Sequence, residues 1–99
     1  MPFLNSVANI IILYNNYIKM PIKKDDFKKS TRKNKKYMIK IDGRTVHFGD
    51  KRYQHYKDKI GMYSHLDHGD NERRKRYYDR HGKEAVKYSP KYFSHKYLW

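Results

Sequence analysis

Four histidines and two aspartates fall close enough along the chain to suggest metal chemistry. His65-x-x-His68 interleaves with Asp67 and Asp70, and His81 and His95 follow. Imidazole and carboxylate are ordinary zinc ligands in tetrahedral geometry. The spacing works against one shared site. With His68 at the first turn of a helix, His81 lies roughly 18–20 Å further along its axis at about 1.5 Å per residue. The two could share an ion only if the helix started late or broke. Histidines so placed otherwise cap helices, stack on tyrosines or contact phosphate. No metal and no other cofactor is expected.

Hydrolysis is the next chemistry to weigh. A hairpin with a histidine in its second strand, followed by a helix, is the order of parts in the ββα-metal nucleases. His47 would then be the general base and His68 or Asp70 a metal ligand. The helix does not follow the hairpin directly, however, and no second ligand set stands at a defined spacing. There is also no Ser-His-Asp arrangement, no glycine-rich phosphate loop and no carboxylate pair in apolar context. Nothing in the sequence points to an enzyme.

Phosphate binding fits the residue types better. Arg73, Arg74, Arg76 and Arg80 sit on one short predicted helix, where guanidinium groups can take phosphate oxygens bidentately. Tyr78 and His81 can stack on unpaired bases. Tyr77 is assigned to the core instead, because the hairpin needs a helix against it. Upstream, Lys28, Lys29, Arg32, Lys33, Lys35 and Lys36 form a basic arm able to track phosphates.

The charge distribution supports a polyanion partner. The net charge of +14 is spread as +7 over residues 19–36, +1 over 37–70 and +6 over 71–99. The near-neutral middle reads as a folded body, with the excess in an arm, a helix and a tail. Nucleic acid is the first partner this suggests, DNA ahead of RNA, and an anionic membrane surface the second. No transmembrane segment is expected, since the apolar run from Ile10 to Tyr14 is too short to span a bilayer. The chain has no cysteine, which excludes disulfides and Cys-based zinc sites.

These residues need a scaffold, and 99 residues allow one small domain. Aliphatics are scarce but there are 11 tyrosines, so the core must be largely aromatic. Residues 1–19 carry no charge until Lys19 and differ in composition from the rest of the chain. Met20-Pro21-Ile22-Lys23-Lys24 reads as the natural start, with the preceding segment an extension. Residues 20–36 read as a flexible arm, too polar to offset the entropy of ordering. Residues 37–48 are a hairpin: Asp42-Gly43 signals a two-residue type I′ turn. That turn pairs Ile41 with Arg44, Ile39 with Val46 and Tyr37 with Phe48, and puts the apolar residues on one face. A short helix is predicted over 51–60, capped by Asp50 and stopped by Gly61, with a long loop as the alternative. The basic helix starts at Asp67 or Asp70 and ends at Gly82 in the left-handed conformation. The tail, with Tyr92, Phe93, Tyr97, Leu98 and Trp99, is expected to close the core against the hairpin. Docking of that tail into another protein is the competing reading.

Across residues 37–99 the sequence resembles a family of small basic proteins of nucleocytoplasmic large DNA viruses, the phycodnavirus and mimivirus groups. His47-Phe48-Gly49, spaced tyrosines, His68-x-Asp70-x-x-Arg73-Arg74-x-x-Tyr77-x-x-Arg80-His81 and a terminal Leu98-Trp99 carry the resemblance. Members of that family have a variable Lys-rich N-terminal arm and no characterised function. The resemblance implies a setting, the virion or the infected host cell, and no mechanism. The expectation is therefore an α+β domain of 37–99 with a β-hairpin, one or two short helices and a packed aromatic tail. It would be a non-enzymatic nucleic-acid-binding protein of a large DNA virus, acting through the arm and the arginine helix. The alternative is a minor structural protein that cements capsid or core through contacts with other virion proteins.

Overall fold

The computed structural model describes residues 22–99. The expectation for residues 1–19 lies outside the described residues. The hairpin forms in the register the turn dictates. Asp42 and Gly43 have φ of 50° and 83°, both positive as a type I′ turn requires. Strands β2 (Lys35–Ile41) and β3 (Arg44–Asp50) pair Tyr37 with Phe48, Ile39 with Val46 and Ile41 with Arg44.

The arm is not free. Phe27–Lys29 forms strand β1, antiparallel to β2, with Phe27 opposite Ile39 and Lys29 opposite Tyr37. The reason is one residue. Phe27 sits alone among polar neighbours, yet it is 3% exposed. Its ring meets those of Tyr37, Phe48, Phe93 and Tyr97 at centroid distances of 4.7–6.4 Å. Burying one such ring contributes about 2–3 kcal/mol, and the strand adds ladder hydrogen bonds. The folded body therefore begins before residue 37.

The helix predicted over 51–60 does not form either. This stretch is an irregular loop held by the carboxylates of buried Asp58 and half-buried Asp67. Asp58 accepts from the Tyr37 hydroxyl at 2.5 Å and from the backbone N–H groups of Ile60, Gly61 and Tyr63 at 2.7–2.9 Å. Asp67 Oδ1 lies 2.6 Å from His55 Nε2 and accepts from Asp58 N at 2.8 Å. These side chains satisfy the backbone that a helix would otherwise have satisfied.

Helix α1 (Asn71–His81) starts at Asp70, whose carboxylate accepts from the N–H groups of Glu72 and Arg73. It stops at Gly82, which has positive φ (77°) but an extended ψ (162°) rather than the expected left-handed helical one. Helix α2 (Pro90–Tyr97) gives the tail its form. Ser89 caps it and Pro90 opens it, a favoured first-turn position. Phe93 and Leu98 are buried in the sheet core, and Phe93 stacks on Phe48 at 5.4 Å. Backbone bonds from Lys57 N to Leu98 O and from Lys59 N to Tyr97 O fasten the end of the tail to the loop. Tail closure of the core thus holds.

The result is an α+β domain with a three-stranded antiparallel sheet in the order β1-β2-β3. Its core of Phe27, Tyr37, Ile39, Val46, Phe48, Ile60, Phe93 and Leu98 lies on one face of the sheet. Among the described residues, no helix is long and apolar enough to cross a membrane.

Candidate nucleic-acid interface

All ten acidic residues lie in the described part of the chain, and most are engaged by the fold itself. Asp26, Asp50, Asp58, Asp67 and Asp70 each accept from backbone N–H groups. Asp50 also pairs with Arg52 at 2.7 Å, and Asp79 with Lys75 at 3.2 Å. The excess of cations is therefore left to the surface.

Two clefts collect it along β3. The first, of about 340 Å³, is lined by Arg32, Arg44, His47 and Lys87 with Tyr88, and no carboxylate lines it. The second, of about 410 Å³, lies between the far ends of β2 and β3, the C-terminal turn of α1 and the start of α2. Lys35, Arg80, His81 and Lys91 line it, together with Phe48, Tyr53, Tyr77 and Trp99. Pro90 lines both, so the clefts adjoin at the start of α2.

The electrostatics agree with the geometry. The His47 pKa is lowered by burial and by Arg32 and Lys35. That of His81 is lowered by burial and by Arg80 and Lys91. Asp50 is the acidic side chain lining the second cleft. Its hydrogen bond from Arg52 is the main cause that holds it at about 2, so its charge is already answered.

The residues singled out in the sequence separate into groups. Arg32, Lys35, Arg80 and His81 come together at the clefts. Lys36 borders the second cleft but is only 2% exposed, and its Nζ is turned to the Tyr53 carbonyl, to which it donates at 2.9 Å. Alternation along β2 would have put it outside, but the strand ends under Leu98 and the Lys36 stem packs there against Gly49. Arg74 is also held. Its Nε donates to the Trp99 carbonyl at 2.6 Å, and its guanidinium lies 5.0 Å from the Tyr56 ring centroid and 5.6 Å from that of Tyr78. Tyr78 donates its hydroxyl to the His95 carbonyl at 3.2 Å, is half-buried and lines neither cleft. Arg73 donates to Gln54 Oε1 at 2.9 Å. Arg76 and Lys33 are exposed away from the clefts. Lys29 Nζ stands 5.3 Å from the Tyr63 ring centroid, and Lys28 shares a hollow with Asp25, Asp26 and Asp42. Tyr77 is buried, but not against the hairpin as its assignment to the core expected: it packs on His81, His95 and Trp99, outside the sheet core.

Arg44, Lys87 and Lys91 carry no signal in the sequence. Each is an isolated cation, at the start of β3, in the linker before α2 and in α2, and the packing of α2 on β3 brings them to the clefts. The histidines and acids do not gather: among the described residues, no three His, Asp or Glu side chains converge as metal ligands.

Fold and clefts together define a small basic α+β domain with a one-sided aromatic core. The chain belongs to the family of unknown function DUF5754, whose model matches residues 26–81. The match runs from the first turn through α1, while α2, with Lys91, and Trp99 lie beyond it. No curated protein and no solved structure matches the chain.

Proposed function

We propose that this chain is a non-enzymatic nucleic-acid-binding protein that holds phosphates in the paired clefts along β3. The observation that carries this reading is the lining. Arg32, Arg44 and Lys87 stand on one side of Pro90, and Lys35, Arg80 and Lys91 on the other. Asp50, paired with Arg52, is the one acidic side chain among the lining residues. Guanidinium groups suit the planar bidentate contact with phosphate, and ammonium groups act as point charges beside them. Contacts of this kind release counterions and do not read base identity, so binding is general and salt-dependent.

The proposed setting is a large DNA virus, in the virion or the infected cell, with DNA favoured over RNA. The spaced motif through His68, Arg73, Arg74 and Arg80 supports it. The alternative, a structural protein that cements capsid or core, has less support, because Phe93 and Leu98 are buried and the tail is not free to dock.

The test compares two double variants of equal net charge by fluorescence anisotropy with labelled oligonucleotides. Arg32→Glu with Arg80→Glu reverses charge at the clefts. Lys57→Glu with Lys59→Glu reverses it at exposed positions that line neither cleft. The first pair should weaken binding more than about tenfold and the second far less. Equal losses would assign binding to net charge rather than to the clefts.

A further inference from the structure

The two clefts differ in one respect that bears on the form of the nucleic acid. The first offers cations with Tyr88, whereas the second adds an aromatic wall to its cationic rim. We infer that the second cleft takes an unpaired nucleotide, its base against the wall at Trp99 and its phosphate on Arg80 and Lys91. The inference rests on the phosphate reading above and adds the class of ligand.

Trp99 is half-buried at this wall, with Tyr77, which lines the same cleft, and the His68 ring, 5.3 Å away, as its neighbours. Tyr77 stacks on it at 4.2 Å with planes 6° apart, and Arg74 holds its carbonyl at 2.6 Å. A fixed ring loses little entropy when a base packs on it. Tyr53, which is 65% exposed, lines the same cleft and offers a second ring. Polar groups suited to base edges stand between them. Gln54 accepts from Arg73 through its carbonyl, which leaves its NH2 group to donate. Ser94 supplies a hydroxyl. The volume of about 410 Å³ falls within the ordinary range for small ligands, about 300–1,000 Å³. Arginine and lysine around aromatic rings is the composition of grooves that bind single strands. A duplex would present only its backbone here, because its bases are held in the stack.

Trp99 is the chain's one tryptophan, so the cleft carries its own probe. The full chain is titrated with four ligands of equal length: oligothymidylate DNA, oligouridylate RNA, an abasic DNA strand and a DNA duplex. Both base-bearing single strands should change Trp99 emission and bind on the order of tenfold tighter than the abasic strand. Tyr53→Ala, at an exposed position outside the core, should reduce that preference, whereas Arg80→Ala with Lys91→Ala should weaken base-bearing and abasic strands alike. A difference between thymidylate DNA and uridylate RNA would report the 2′-hydroxyl and the C5 methyl together and support the inference in either direction. Equal affinity for all four, with Trp99 emission unchanged, would overturn the base site and leave the phosphate reading standing. No binding to any of the four would overturn both.

Discussion

Tyr77 and Trp99 stack face to face, 4.2 Å between ring centroids, and so tie α1 to the residue that ends the tail. His95 completes the joint. Its Nε2 lies 2.9 Å from the Gly82 carbonyl, which makes Nε2–H the donor there and leaves Nδ1 to accept from the Tyr77 hydroxyl at 2.9 Å. α1 has Tyr77 as its one buried residue. It depends on this second aromatic cluster, since Tyr77 lies outside the sheet core. Trp99→Ala should cost about 2–4 kcal/mol of unfolding free energy, with Trp99→Phe recovering part of it. Urea unfolding followed by circular dichroism measures both. A loss below about 0.5 kcal/mol, the level of an ordinary surface substitution, would mean that the stack does not hold α1.

Lys36 should be a burden on stability rather than a ligand. Burial lowers its pKa from 10.5 to about 8, against the opposing pull of Asp50, Asp58 and Asp67. The unfolded chain therefore binds the proton more tightly, and stability should rise as pH climbs from about 8 to 10.5. Lys36→Met should abolish that rise and add about 1–3 kcal/mol at neutral pH, while leaving oligonucleotide affinity unchanged. A fall in affinity with the fold intact would return Lys36 to the binding surface.

Acid should act in two stages. The histidines at positions 47, 55, 68, 81 and 95 all have pKa values below the ordinary 6.5, burial being the largest cause in each case. Below pH 6.5 the unfolded chain takes up these protons first, so stability that is full above that pH declines. The carboxylates come second. Burial alone would raise Asp58, but its bonds from Tyr37 and from three backbone N–H groups outweigh it and hold the carboxyl below 3.8. Its contribution is present above 3.8 and is lost as pH falls through the lower folded value. Urea midpoints at pH 7.5, 5.5 and 3 should fall in that order. A flat profile down to pH 4 would contradict the histidine stage.

The hairpin, its turn and the helix cap were legible because each depends on a local pattern. Asp42-Gly43 sets the register of the hairpin, and Asp70 starts α1 whatever lies around it. What could not be read depends on contacts distant in sequence. Phe27 makes a strand of the polar arm only because Phe93 and Tyr97 arrive from the far end of the chain. The loop over 51–60 gives up its predicted helix to Asp58 and Asp67, whose partners include Tyr37, 21 residues from Asp58. At the clefts, Arg32, Lys35, Arg80 and His81 were visible as parts of charge runs. Arg44, Lys87 and Lys91 were not, since an isolated cation gives no signal until the fold gathers it.

The most direct test of the central claim is the salt dependence of oligonucleotide affinity, measured on the full chain and on Arg80→Ala. If the clefts hold phosphates, log affinity falls linearly with log salt, and removing Arg80 lowers the slope by about one. A slope near zero, or one that the variant leaves unchanged, would contradict phosphate binding at the clefts.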